Sequence, residues 1–419
     1  MINLRRFLFA ICGLALLSYQ LGCSASSGDS NPGPSVYYPT MSGDNVIPLS
    51  VGACGVNGYH NEPCISVKIC EPGSTTNCQT IPNILVDTGS YGLKIFKSVI
   101  DTSVLNGLVP LKPTNTYQLA NCTNYLDDSG HWGGMWRADI TLGTKTASSV
   151  PMVVLDTTFF STQVSKCTAK PDSAPKDAGF NGIIGVGSYA QDCEIGGVNP
   201  CTTIAMPKSY YACSGSNCDE TPVDLNDQLV NPVARMPAGY NNGIAIKLPD
   251  IPATGAQAVY GYMVLGIGTS GDSNNAANDV TVFPVNNRYF TTIFGGQTYS
   301  EAFIDSGSNF YYFDPPSSQA SALPFCGSTS WFCPLNIIEF TATAKSGSVT
   351  EDFKFSIGNT NDLIMSGGMV YKNIGGEVGD ADKFDLGLPF FLGKTVFVGI
   401  KDADATVNGG QVTGPFWAY

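Results

Sequence analysis

Charge, histidine and helix-building runs are all scarce in this chain of 419 residues. Only 13% of it is Asp, Glu, Lys or Arg, and there are two histidines, His60 and His131. A serine or cysteine triad needs a histidine base, and neither histidine stands in a setting that suggests one. Zinc fails for the same want of partners, since no paired C-x-x-C occurs; no metal or other cofactor is implied. Gly393-Lys394-Thr395 lacks the earlier, correctly spaced glycine of a phosphate loop. Long stretches of Glu, Lys, Ala and Leu are missing, so most apolar segments read as strands.

What is present points the same way: 47 Gly, 26 Pro, 19 Tyr and 22 Phe describe a mostly β chain rich in turns. Residues 1–22 read as a secretory signal, with Arg5 and Arg6 before an apolar core from Phe7 to Leu17 that is too short to span a bilayer. Gln20-Leu21-Gly22-Cys23 looks like a bacterial lipobox, with Cys23 as the lipidated residue. Residues 23–45 then form a polar tether without fixed structure. Export to the periplasm, the outer membrane or the outside is expected, with membrane contact only through the lipid. Removing residues 1–22 leaves 19 basic residues against 34 acidic, a net charge of −15. Nucleic acids and anionic membrane surfaces are poor partners for such a chain. Of 14 cysteines, Cys12 lies in the signal and Cys23 in the lipobox. The remaining twelve suggest up to six disulfides. Cys54/Cys64, Cys70/Cys78, Cys193/Cys201, Cys213/Cys218 and Cys326/Cys333 are close enough to staple loops, although spacing does not fix connectivity.

One phrase occurs twice. Ile84-Leu85-Val86 runs into Asp87-Thr88-Gly89-Ser90, and Ala302-Phe303-Ile304 runs into Asp305-Ser306-Gly307-Ser308. Each reads as a buried strand that delivers a carboxylate into a tight turn. Face to face, the turns would bring Asp87 and Asp305 within hydrogen-bond distance, so that the pair holds one proton. One carboxylate is then a base for a bound water, and the other an acid for the oxyanion that develops on an attacked amide. Glycoside hydrolases also use two carboxylates, but nothing in that chemistry calls for two Asp-[Thr/Ser]-Gly turns.

A second pair of phrases follows the first. Gly182-Ile183-Ile184-Gly185 lies downstream of Asp87, and Leu386-Gly387-Leu388-Pro389-Phe390-Phe391 downstream of Asp305. Glycine after an apolar pair suggests a strand pressed against a neighbouring backbone. The repeated order is an internal duplication at the scale of a lobe, with lobes over residues 46–252 and 253–419. Residues 115–145 suggest a hairpin arching over a cleft, with Trp132 and Trp136 near a Gly-rich tip; the alternative is that both rings pack on a core. A short helix is expected near Val223 to Val230.

These residues resemble the pepsin-type aspartic peptidases, through Asp87-Thr88-Gly89-Ser90 with Leu93, Gly182-Ile183-Ile184-Gly185, Asp305-Ser306-Gly307-Ser308, and Leu386-Gly387 followed by Thr395-Val396-Phe397. The chain is also similar to a family of uncharacterised proteobacterial secreted proteins that share the phrases. The resemblance covers residues 46–419 and implies a bilobal, mostly antiparallel β fold around a central cleft. It implies Asp87 and Asp305 as the catalytic pair. Thr88 and Ser306 would buttress the loops, Gly89 and Gly307 would form the turns, and Ser90 and Ser308 would hold the carboxylates. A polypeptide substrate would lie extended beneath a flap, for which Tyr125, Trp132 and Gly133 are the candidates. Two departures stand out. Lys94 follows Leu93 where the family carries tryptophan, and the flap's Tyr-Gly pairing is missing. The expected protein is a monomeric aspartic endopeptidase; the alternative is a silent binding module on the same scaffold.

Overall fold

The computed structural model describes residues 32–419 apart from 57, 126–128, 169 and 270. The expected signal, the lipidation at Cys23 and residues 24–31 lie outside the described residues.

Strands dominate, and no helix among the described residues exceeds six residues. The strand Glu62–Cys70 shows the cause: Ile65, Val67 and Ile69 are buried while Ser66 between them faces water. That period of two is what a pleated strand with one apolar face requires.

One sheet is assembled from distant parts of the chain. Val46–Gly52 pairs antiparallel with Glu62–Cys70 on one side and Val259–Leu265 on the other. Val259–Leu265 then pairs with Gly243–Lys247, which pairs with Thr395–Gly399, and that strand pairs with Phe416–Ala418. A second sheet of seven strands, between Phe290 and Leu386, packs around a cluster of phenylalanines. Within it, Phe313 and Phe384 stack at 4.7 Å.

The duplicated phrases form duplicated pairings. Gly182–Val186 lies between Cys78–Asp87 and Tyr91–Phe96, parallel to the first and antiparallel to the second. Lys383–Leu386 lies in the same way between Gln297–Ile304 and Tyr311–Phe313. Glycine makes both insertions possible. A Cβ on Gly185 would lie 2.2 Å from the Tyr91 nitrogen, and one on Gly387 would lie 2.0 Å from the Phe310 oxygen.

All twelve cysteines outside residues 1–23 are paired. The five short-range staples form as their spacing suggests, and Cys122–Cys167 takes the remaining two. Six disulfides fit a protein that folds in an oxidising compartment outside the cytoplasm. No helix among the described residues is long and apolar enough to cross a membrane.

Two expectations need correction. Residues 32–45, read as tether, belong to the fold: Val36–Tyr37 adds a parallel strand beside Val259–Tyr260, and the Tyr37 ring stacks on Tyr260 at 4.7 Å. Composition pointed to a linker, but backbone hydrogen bonds to an open sheet edge order it. The helix expected from Val223 to Val230 is a turn closed on the Asp224 carbonyl. Gln228 turns inward to bond Asn199 and the Val223 carbonyl, and a short 3-10 helix begins only at Pro232.

Candidate active site

Two strands end at the same point in space. Cys78–Asp87 and Gln297–Ile304 each run into a turn, and the turns interlock through four hydrogen bonds. The Thr88 hydroxyl accepts the Ser306 N–H at 2.9 Å and donates to the Ile304 carbonyl at 2.9 Å. The Ser306 hydroxyl accepts the Thr88 N–H at 3.2 Å and donates to the Val86 carbonyl at 2.7 Å. Thr88 and Ser306 are buried, so these bonds satisfy backbone groups that water cannot reach.

Each glycine then lies against the other turn's carboxylate. A Cβ on Gly89 would stand 2.7 Å from the carboxyl carbon of Asp305, and one on Gly307 would stand 2.7 Å from that of Asp87. Any other residue would force the acids apart. The remaining contacts repeat in each half. Gly89 N–H donates to Asp87 at 2.8 Å and the Ser90 hydroxyl to its other oxygen at 2.5 Å. Gly307 N–H donates to Asp305 at 2.8 Å and Ser308 at 2.9 Å.

A Cβ on Gly307 would meet both acids, 2.7 Å from the Asp87 carboxyl carbon and 3.1 Å from an Asp305 oxygen, so the carboxyls share one small space. Burial, and after it the negative charge of Asp87, push the Asp305 carboxyl well above the usual carboxylate range. The pair therefore keeps a proton at pH values where a lone carboxyl would have lost it.

Both acids open onto a cavity of about 540 Å³. It is lined by Ser90 and Ser308, by Tyr125, and by residues that the sequence reading did not single out as site residues, among them Tyr91, Asp192, Arg288 and Asp385. Lys94, which stands where the resemblance calls for tryptophan, is also in the wall. It is 1% exposed, and its ammonium donates to the Tyr91 carbonyl at 3.3 Å. Burial lowers its proton affinity, against the pull of Asp87 and Asp192. Asp192 accepts a hydrogen bond from the Tyr210 hydroxyl at 2.6 Å, and burial raises its pKa to about 6. Arg288 lies 4.6 Å above the Tyr91 ring, at a residue with φ of 77°. Such a backbone is strained for a side chain of this size.

The chain was compared with known families and proteins. A family model described as "Protein of unknown function (DUF3443)" matches residues 41–419. The chain belongs to that family. No curated protein matches it significantly.

In this DUF3443 member the expected flap is a hairpin of Gln118–Asn124 with Ser129–Leu142. Of its three candidates, Tyr125 lines the cavity, its hydroxyl 2.9 Å from Nδ1 of the buried His131. Trp132 does not reach the cavity. It is 1% exposed, its indole N–H donates to the Phe159 carbonyl at 2.6 Å, and its ring packs edge-on against Tyr211. Gly133 is also a packing residue, because a Cβ there would lie 2.0 Å from the Val154 oxygen. The hairpin reading placed Trp132 near the tip, but its ring lies in a buried cluster with Val164, Cys167 and Tyr211, against which Phe159 and Phe160 pack.

Proposed function

We propose that this DUF3443 member is an exported aspartic endopeptidase, built as two pepsin-like lobes over residues 46–252 and 253–419 and tethered through a lipid on Cys23. The observation that carries the reading is the reciprocal pairing of Asp87 and Asp305, each held by a glycine N–H and a serine hydroxyl and pressed on the opposite glycine. Structural aspartates at strand ends have no need of a second, like-charged partner in a buried site.

The chemistry follows from one proton held by the pair, placed on Asp305 at the start of the cycle. A water between the carboxyls loses a proton to Asp87 as its oxygen bonds to the amide carbon. Asp305 gives its proton to the carbonyl oxygen, so a neutral diol forms. Collapse then breaks the C–N bond, with the proton on Asp87 passing to the leaving nitrogen and one diol proton returning to Asp305. Ser90 and Ser308 keep the carboxyls from rotating throughout. An extended polypeptide suits the cavity, with Tyr125 on the hairpin above it.

The direct test is cleavage of an unfolded protein by purified residues 24–419 between about pH 3 and 7. A statine-type inhibitor and Asp305→Asn serve as controls. Cleavage that both abolish is the expected result. Well-folded protein that cuts nothing at any pH would return the cleft to the binding-module alternative.

A further inference from the structure

The two halves of the site match in strand pairing and differ in some of the side chains that those strands carry. Ile183 and Asp385 hold equivalent places, each two residues before a close-approach glycine and each beside an aspartate-bearing strand. Ile183 lies opposite Leu85, and Asp385 lies opposite Phe303. One half thus carries an acid where the other carries an aliphatic side chain.

An acid in such a strand is costly unless it is satisfied. Asp385 is 1% exposed, and its Oδ1 has no hydrogen-bond partner. It lines the cavity in a row with Phe303 and Tyr312, its neighbours on the flanking strands. The Ser308 hydroxyl, which donates to Asp305, also lies within reach of Asp385. The charged and titratable groups around it are otherwise engaged or of like sign. Asp87 and Asp305 face it. Lys383 on its own strand is held by Glu301 and Asp380, the Tyr312 hydroxyl donates to Asn309, and Glu377 is a further acid in the cavity wall. Burial, with the Asp87 charge adding to it, keeps the Asp385 carboxyl well above the usual range.

Resting on the peptidase reading, we propose that Asp385 is a third acid of the site: a positioning residue that acts on Asp305 beside Ser308, fixes Asp305 as the proton carrier, and extends activity toward neutral pH. Three carboxyls in one dry site cannot all ionise, and they lose protons in steps that belong to the cluster. Each charge already present makes the next proton harder to remove. Asp385, ionising before Asp305, supplies one such charge and is among the causes that hold the Asp305 carboxyl high; without it, Asp305 surrenders its proton at lower pH. The alkaline limb of the rate profile reports that loss.

The experiment compares pH profiles of kcat/KM for the wild type, Asp385→Asn and Asp385→Ile. Both variants should keep the acidic plateau, with the alkaline limb moved about one pH unit to the acid side, roughly a tenfold loss beyond the limb. A limb that stays in place in both variants, or moves only with Ile, would assign Asp385 a packing role and overturn the inference. Titration of the Asp305 carboxyl carbon by NMR in the wild type and Asp385→Asn reads the same coupling without turnover. A lower midpoint in the variant supports the inference even if no peptide is ever cut. An unchanged midpoint overturns it even in an active peptidase.

Discussion

Thr88 and Ser306 stand 218 residues apart, and each hydroxyl accepts the other's backbone N–H while donating to a carbonyl of the other's strand. The carboxylates beside them are therefore fixed by a lattice that spans the whole chain. Removing either hydroxyl strands a buried N–H and a buried carbonyl at once.

Thr88→Ala or Ser306→Ala should cost about 2–6 kcal/mol, from roughly 1–3 kcal/mol for each of the two orphaned groups. Thr88→Ser, which keeps the hydroxyl, should cost far less. Denaturant unfolding of the three variants checks this. Equal stability for Thr88→Ala and the wild type would mean that water replaces the lost bonds.

The acids themselves are expected to oppose stability while serving chemistry. Asp87→Asn and Asp305→Asn should each lower kcat by roughly 10³-fold or more, the scale of losing a positioned acid or base. Melting temperature at pH 7 should hold or rise, because the fold no longer has to keep a proton on a buried carboxyl that the unfolded chain would release. Paired activity and thermal-melt measurements test both parts. A variant that keeps near-normal activity would remove its aspartate from the mechanism.

Stability should also carry a recognisable pH signature. Asp192, Asp305 and Asp385 are all held high by burial, Asp192 at about 6. In the unfolded chain each titrates near about 4. Between the unfolded and folded values the folded protein binds more protons, so stability falls as pH rises, by up to about 1.4 kcal/mol per pH unit for each group. Below that window the trend reverses, as carboxyls such as Asp380, held low by its hydrogen bond to Lys383, take up protons. The melting temperature should peak near about pH 4 and decline toward 7, and Asp192→Asn should flatten the decline below about 6. A flat profile from 4 to 7 in the wild type would contradict the burial of these groups.

Local pattern made much of this legible before any coordinates. Apolar segments without helix-building runs gave strands, the glycine-bearing phrases at Ile183-Ile184 and Leu386 gave close backbone approaches at Gly185 and Gly387, and short cysteine spacings suggested five of the six disulfides. Two identical turns suggested facing carboxylates. What escaped depended on tertiary neighbours. Residues 32–45 have linker composition and are ordered only by the sheet edge they meet. Trp132 was placed at the flap because the residues that bury it, Val164, Cys167 and Tyr211, lie some thirty to eighty residues further on. Asp385 stands immediately before the phrase that begins at Leu386, and an acid in a buried strand was the signal to follow. Nothing in the sequence placed it beside Asp305.

The disulfide without a spacing signal should matter most. Cys122–Cys167 closes a loop of 45 residues, against 5 to 10 for the others. Loop-closure entropy grows with length, so removing it with Cys122→Ala and Cys167→Ala together should cost roughly 4 kcal/mol. The bond also ties the hairpin strand Gln118–Asn124 to the helix Val164–Cys167, just before Tyr125 at the cavity. Loosening that anchor should weaken substrate binding more than it slows chemistry, since the acids sit on other strands. The check is KM against kcat in the double variant, under conditions where it remains folded. A fall in kcat with KM unchanged would show that the bond supports the carboxylates rather than the hairpin.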